Sequence, residues 1–130
     1  MKFKFLFIAV LSLTILFCAD AKENELKGTW KLISQNGKDV TGKINQIKFI
    51  TENNFIWANF DDEGEIKIGA GGKFSIDGNT FTETIVMAFT VMKSFLGQKF
   101  TYEYELKNNK LHMKGKIGNS PIEEVWERMD

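Results

Sequence analysis

Residues 100–117 read FTYEYELKNNKLHMKGKI and predict a β-hairpin whose two-residue turn lies at 108–109. Both turn residues are asparagine, which tolerates the positive φ that such turns require. In this register Tyr104 faces Met113 on one side of the hairpin, while glutamates face lysine or histidine on the other side. One face is apolar and the other is charged, which is typical of an antiparallel sheet that covers a core on one side. The hairpin therefore predicts an all-β fold.

The same alternation continues along the chain in both directions. Pairs of asparagine and glycine separate segments that are rich in Phe, Ile, Thr, Tyr and Trp, the residue types that favour strands. The sequence predicts eight strands, at residues 29–35, 44–52, 54–60, 66–77, 80–90, 98–107, 110–117 and 122–129. We expect an eight-stranded antiparallel up-and-down barrel, because closure of the sheet buries its apolar face and removes its edges. The glycines within 66–77 predict a bulge or a sharp bend.

Two registers decide which side chains point into this barrel. A loop at 118–121 predicts that Met113 faces Trp126 in the final hairpin. In the strands at 44–52 and 54–60, one face is the more apolar and is expected to point inward, although the opposite face also carries large apolar residues. The expected inward set is Ile47, Phe49, Ile56, Ala58 and Phe60, and the opposite set is Ile50, Phe55 and Trp57.

The first 21 residues predict an export signal that is not part of the fold. A continuous apolar run at 5–17 follows two lysines, and a helix of about 13 residues spans roughly 20 Å, too short for a bilayer core of about 30 Å. The small-x-small sequence at 19–21 suits cleavage by signal peptidase. We therefore expect a signal peptide at 1–21, a barrel domain at 22–130, and a mature protein that is periplasmic or secreted.

Cys18 leaves a second processing route open. A cysteine just after an apolar run can be the lipidated first residue of a bacterial lipoprotein, but that pattern requires a small residue before it, and here the residue is Phe17. Lipidation at Cys18 would anchor the protein to a membrane, whereas cleavage after Ala21 would release it. Because Cys18 is the single cysteine, no disulfide within the chain is expected on either route.

The charge pattern argues against several kinds of partner. The chain has 17 Lys and Arg residues and 17 Asp and Glu residues, so no basic surface for nucleic acid or anionic lipid is expected. Its one histidine, His112, is predicted on the outer face between Glu105 and Glu127, which disfavours a role as a haem ligand. The acidic segment 61–65 lacks the ligand spacing of a calcium loop. Nucleophile motifs and phosphate-binding glycine loops are missing, so we expect no enzyme activity, cofactor or metal.

Two short segments resemble the ends of a lipocalin-like domain: LKGTWKLIS at 26–34 and EEVWERM at 123–129. Gly28 and Trp30 match the G-x-W signature of lipocalins, and Arg128 matches the arginine that packs against this tryptophan in that family. The domain is similar to lipocalin-like domains of small secreted bacterial proteins that have no assigned function. The resemblance implies a calycin-type barrel that these three residues close at one end. The helix that follows the barrel in larger lipocalins is missing.

Glu83 is the unusual residue of the predicted interior. The hairpin at 71–85 places it opposite Phe74 on the apolar face, where an unpaired carboxylate is costly. The inward groups that could partner it are Arg128, Glu124, Tyr102 and Tyr104. Glu83 could serve an internal polar network, anchor a ligand, or form a catalytic carboxylate pair with Glu124, although such a pair needs an open cleft. The candidate ligand-binding residues are Phe74, Glu83, Ile85, Met87, Tyr102, Tyr104, Met113, Glu124 and Trp126.

These features predict a protein that binds one small, largely apolar molecule inside its barrel, since eight strands leave room for one such ligand. The alternative is a protein-interaction or inhibitor module with a filled barrel. Such a module would act through the loops at one end of the barrel, which we call the mouth and define as segments 36–43, 61–65, 90–98 and 118–121. The segment at 90–98 is apolar for a connection, which favours either a lid or partner surface or an inward fold that closes the core. An empty interior of a few hundred Å3 would favour the binding protein.

Overall fold

The computed structural model describes residues 25–130, in which nine strands form one antiparallel sheet. The strands are β1 (Gly28–Gln35), β2 (Lys38–Asp39), β3 (Asn45–Ile50), β4 (Asn54–Phe60), β5 (Ile66–Asp77), β6 (Thr80–Ala88), β7 (Lys99–Lys107), β8 (Lys110–Ile117) and β9 (Ser120–Arg128), and a 3-10 helix (Thr90–Phe95) links β6 to β7. Neighbours in sequence pair from β3 to β9, and β1 pairs with both β3 and β9. The predicted eight-stranded barrel is thereby confirmed, and the short β2 pairs with the end of β1.

The predicted leader at 1–21, which includes Cys18, lies outside the described residues. Within the described part of the chain, no helix has the length and apolar character needed to cross a bilayer.

The hairpin at 100–117 has the predicted register. Asn108 and Asn109 both adopt positive φ, at 53° and 59°, and Tyr104 pairs with Met113. Because the turn chemistry and the two side-chain faces specify the same pairing, this register could be predicted from the sequence.

The final hairpin differs from the prediction by two residues. Ile117 pairs with Ser120 across a two-residue turn, so Met113 faces Glu124 and not Trp126. The turn is shorter than predicted because Gly118 adopts a φ of +62°, which closes a two-residue turn and lets 120–121 join β9. A shift of two residues keeps every side chain on its predicted face, since side chains alternate with a period of two.

His112 keeps its predicted place next to Glu105 but has a different neighbour in β9. It faces Val125, while Glu127 pairs with Lys110. The same two-residue shift causes this difference.

The face of β3 and β4 that was expected to point inward points outward. Ile50 and Phe55 are buried, whereas Phe49 is 46% exposed. Lys48 lies on the buried face and is only 2% exposed. The more apolar face is therefore not the inner face, because a buried partner inside the barrel compensates the charge of Lys48, as described below.

The glycine-rich strand lies beside a β-bulge, but the extra residue is in its neighbour β6 and not in the glycine-rich strand itself. Gly72 pairs with Ile85 but Gly71 pairs with Met87, so β6 carries one extra residue, Val86. A Cβ atom on Gly72 would overlap the carbonyl oxygen of Thr84, so the close approach of the two strands requires glycine here. The extra residue turns Met87 outward, where it is 55% exposed, and the prediction that Met87 lines the interior is wrong.

Trp30 and Arg128 meet at the end of the barrel opposite the mouth. They are paired residues of β1 and β9, and the guanidinium carbon of Arg128 lies 4.2 Å from the centre of the buried indole ring. Trp30 Nε1 donates to the carbonyl of Leu26 at 2.8 Å, and Arg128 Nη1 donates to the carbonyl of Lys27 at 2.8 Å. A Cβ atom on Gly28 would lie 2.7 Å from Arg128 Nη1, so glycine leaves room for the guanidinium. These contacts close this end, which we call the plugged end.

Candidate functional site

A cavity of about 200 Å3 occupies the half of the barrel next to the mouth. Its wall near the mouth includes Gln35, Gln46, Phe95, Ile117 and Ile122, and deeper in the barrel it reaches three charged residues and two aromatic ones: Lys48, Glu83, Glu124, Tyr102 and Trp126. The plugged half is filled instead, by fully buried side chains that do not line the cavity: Trp30, Phe81, Leu111 and Met113. The barrel is therefore packed at one end and hollow at the other.

A buried ion pair stands at the inner wall of this cavity. Lys48 Nζ lies 2.7 Å from Glu83 Oε1, and each side chain is 3% exposed. Lys48 comes from β3 and Glu83 from β6, strands that are not neighbours in the sheet, so the pair spans the interior. Burial strengthens the attraction between the two charges because little water screens it.

Aromatic rings surround the ammonium group of Lys48. Its Nζ atom lies 4.8 Å from the ring centre of Trp126, and about 6 Å from three further rings, those of Phe55, Phe81 and Tyr102. An aromatic face attracts a cation, and the attraction is larger when the cation is desolvated. The interior therefore stabilises a positive charge through both a carboxylate and π-faces.

Glu124 is a second buried carboxyl group on the cavity wall. Its Oε2 atom accepts a hydrogen bond from Trp126 Nε1 at 3.0 Å. Burial raises the pKa of Glu124 above its usual value, although the positive charge of Lys48 and the bond from Trp126 oppose this shift. Burial and the nearby carboxylates of Glu83 and Glu124 also raise the pKa of Tyr102, so its hydroxyl stays protonated at neutral pH.

The predicted binding residues divide into three groups. The first group lines the cavity: Glu83, Ile85, Tyr102, Glu124 and Trp126. The second group points into the barrel but packs away from the cavity: Phe74, Tyr104 and Met113. Phe74 stacks on Phe81, with ring centres 4.9 Å apart, so its role is to fill the core. Met87 alone lies on the outer surface.

Lys48 is the charged cavity residue that the sequence-based prediction missed, together with uncharged lining residues such as Phe95 and Ile122. The cation that pairs with Glu83 is Lys48, which is not among its predicted partners. A signal was present, since a carboxylate on an apolar face requires a cation and Lys48 shares a strand face with Ile50. Lysine is ordinarily solvent-exposed. The composition of β3 alone therefore favours an outward position for Lys48, with Ile47 and Phe49 inside.

The apolar segment at 90–98 folds partly inward and stays partly exposed. Met92 and Phe95 line the cavity, and Phe95 packs against Phe100 with ring centres 5.7 Å apart. Val91 and Leu96 remain on the surface, and Val91 is 69% exposed. The 3-10 helix therefore covers part of the mouth while presenting apolar side chains outside.

Among residues 25–130, no three or more His, Cys, Asp or Glu residues are grouped so that they could hold a metal ion.

A closed antiparallel barrel with a plugged end and an internal cavity is a lipocalin-like fold. Residues 25–130 match the family described as a domain of unknown function, DUF4488, and the chain belongs to that family. A search of curated proteins finds no match.

Two solved structures from Bacteroides resemble this barrel. A lipocalin-like protein from Bacteroides uniformis aligns with a TM-score of 0.54 and 13% identity, over 80% of this chain and 98% of that chain. An uncharacterised protein from Bacteroides eggerthii aligns with a TM-score of 0.53 and 15% identity, over 78% of this chain and 98% of that chain. At these identities the likeness concerns the fold.

Proposed function

We propose that this protein is an exported binding protein that holds one small, largely apolar molecule in the mouth half of its barrel. Small-molecule sites are usually concave and apolar, with a few polar groups that fix the orientation of the ligand. The cavity has this composition, since aromatic and aliphatic side chains surround Lys48, Glu83 and Glu124. A polar group of the ligand would contact this charged cluster, and the apolar remainder would pack toward Phe95 and Ile122.

The placement of the ion pair carries the proposal. A buried salt bridge stabilises a fold only weakly, because the cost of desolvating two charges offsets much of their attraction. Apolar residues could fill the same volume, as they do in the plugged half of the barrel. Charges that face an internal cavity are instead suited to orient a ligand.

The size of the cavity limits the ligand. Sites for drug-sized molecules usually enclose roughly 300–1,000 Å3, whereas this cavity has about 200 Å3. An apolar cavity of about 150 Å3 in another protein accommodates benzene. The proposed ligand therefore has the size of a single ring with a short substituent, or of a short chain.

Binding accounts for the carboxyl groups better than catalysis does. Lys48 holds Glu83 in an ion pair, and the indole of Trp126 binds Glu124. Both groups lie inside the barrel and not in the open cleft that a pair of catalytic carboxylates requires.

Mass spectrometry under native conditions tests this function. Protein purified from its own source should carry an added small mass that is lost on denaturation. Ile122→Trp fills the mouth half of the cavity and should lose the added mass, whereas Glu123→Trp places the same ring on the exposed face of the same strand and should keep it. Equal occupancy of the two variants would contradict binding inside the barrel.

Export is part of the proposal, and the apolar run at 5–17 followed by Ala-Asp-Ala supports it. The mature chain should begin at or near Lys22. N-terminal sequencing of the mature protein tests this start. A first residue at Cys18 that carries lipid would instead show a membrane-anchored protein.

An exposed apolar surface favours protein interaction as a second candidate function. Ile56 of β4, Met87 of β6 and Phe89, which follows β6, are exposed around Gly69 on the outside of the barrel. Exposed apolar patches often mark contacts with partners. Met87→Lys should abolish capture of such a partner from extracts of the source organism and leave ligand binding unchanged. Equal capture of a partner by the wild-type protein and by Met87→Lys would count against this role.

A further inference from the structure

We infer that the cavity selects ligands with a positively charged group, such as a protonated amine, over ligands with a carboxylate. This inference rests on the proposed binding function and concerns the chemical class of the ligand. It follows from the charges on the cavity wall, from the aromatic faces beside them and from the volume that remains.

The charges on the wall are unequal in number. Two carboxyl groups, Glu83 and Glu124, face one ammonium group, that of Lys48. Lys48 pairs with Glu83 at 2.7 Å, while Glu124 takes part in none of the ion pairs found among residues 25–130. A cation in the cavity would therefore meet a carboxyl group that no side-chain cation pairs at salt-bridge distance, and its positive charge would favour the ionised form of that group.

The aromatic side chains add to this preference. Trp126 and Tyr102 line the cavity, and both rings already lie near a protein ammonium group, with Lys48 Nζ 4.8 Å from the Trp126 ring centre. Aromatic faces attract cations and repel anions because the ring face is electronegative. The surroundings of Lys48 show that this interior accommodates an ammonium group when a carboxylate is within reach.

The two carboxyl groups on the cavity wall disfavour a ligand that carries a carboxylate. A carboxylate that approached Lys48 would have to share its ammonium group with Glu83, and it would remain near Glu124. Like charges close together in an interior that excludes water repel strongly. An anionic ligand therefore loses more on entry than a neutral ligand of the same shape.

Three probes with a common phenylethyl group test the inference: 2-phenylethylammonium, 2-phenylethanol and 3-phenylpropionate. Their affinities can be measured by isothermal titration calorimetry at neutral pH. We expect the ammonium probe to bind about tenfold or more tightly than the alcohol, because a charge-assisted hydrogen bond replaces a neutral one. The propionate should bind most weakly.

Two matched variants locate the preference. Glu124→Gln removes the carboxylate that faces the cavity and should reduce the advantage of the ammonium probe to less than about threefold, with little effect on the alcohol. Glu123→Gln makes the same change on the exposed side of β9 and should keep the wild-type order. Circular dichroism checks that both variants fold. If Glu124→Gln does not fold, the order of the three probes in the wild-type protein still decides the inference.

The outcomes separate this inference from the proposed function. Propionate affinity equal to or above that of the ammonium probe would overturn the cation preference and leave the binding barrel standing. An ammonium advantage that Glu124→Gln does not reduce would overturn the role of this carboxylate. If none of the three probes binds, the inference is wrong and the proposed binding function loses its support as well.

Discussion

Lys48 is buried because Glu83 meets its charge inside the barrel, and each residue depends on the other. The two side chains are 3% exposed and 2.7 Å apart. Removing one partner of a buried ion pair leaves an uncompensated charge, which typically costs about 3–5 kcal/mol. We predict that Lys48→Met lowers the free energy of unfolding by that amount in urea denaturation. Lys73→Met, at an exposed position of β5, should change it by less than about 0.5 kcal/mol.

A double substitution separates the loss of the pair from the loss of packing. Lys48→Met together with Glu83→Met replaces both charges with apolar groups of similar length. It should recover most of the stability lost in Lys48→Met, because no buried charge remains. A single Lys48→Met variant that is as stable as the wild-type protein would show that Lys48 reaches solvent.

The buried carboxyl group of Glu124 should make the stability of the fold depend on pH. Burial raises the pKa of Glu124 above the ordinary value of 4.5 in the folded protein. Between 4.5 and the raised pKa the folded state binds more protons than the unfolded state, so this group makes the protein less stable as the pH rises through that window. Glutamine at this position cannot titrate.

The wild-type protein should therefore lose stability relative to Glu124→Gln as the pH rises above 4.5. Urea denaturation of both proteins at intervals up to neutral pH measures the difference. The charged and titratable groups that face Glu124, namely Lys48, Glu83 and Tyr102, are present in both proteins and largely cancel in the comparison. A difference that is constant with pH would show that the Glu124 carboxyl is solvated.

At the bulge between β5 and β6, the two strands approach so closely that position 72 requires glycine. A Cβ atom on Gly72 would overlap the backbone oxygen of Thr84, which cannot move without breaking the ladder. We predict that Gly72→Ala destabilises the protein by about 2–3 kcal/mol in urea denaturation. Ser75→Ala, on the outer face of the same strand, is the control and should have little effect. A neutral Gly72→Ala would show that the strands separate more easily than the bulge geometry indicates.

The plugged end depends on one side chain that joins β9 to the segment before β1. Arg128 stacks on Trp30 and donates to the carbonyl groups of Glu25 and Lys27. Arg128→Ala should lower the unfolding free energy by about 1–3 kcal/mol, because it removes charge-assisted bonds and leaves carbonyls unpaired. Arg128→Lys should recover only part of this loss, since an ammonium group lacks the planar fork. A loss below about 0.5 kcal/mol for Arg128→Ala would contradict this role.

At the scale of the whole molecule, the closed barrel and most strand positions could be predicted from the sequence. Outside β3 and β4, alternation identifies the side of each strand that faces the core, and the hairpin at 100–117 adds turn residues that fix its pairing. Alternation cannot separate registers that differ by two residues, so Trp126 was paired wrongly although its face was right. It also fails across a bulge, which is why Met87 is outside.

The candidate site could be predicted only in part. Alternation places Phe74 and Met113 inside the barrel but does not report depth along its axis, so residues of the filled half were assigned to the cavity. The charge of Lys48 is compensated by Glu83, a residue 35 positions away, and no pattern within β3 records that partner. Contacts between distant segments therefore determine the site, whereas local patterns determine the barrel.

The indole N–H signals of the three tryptophans test directly whether a small molecule binds in the mouth half of the barrel. Trp57 and Trp126 line the cavity, whereas Trp30 donates its indole N–H to Leu26 in the plugged end. Titration with neutral 2-phenylethanol, followed by two-dimensional 1H-15N NMR, should shift the Trp57 and Trp126 signals saturably and leave the Trp30 signal in place. Unchanged Trp57 and Trp126 signals, or equal shifts of all three, would contradict the account.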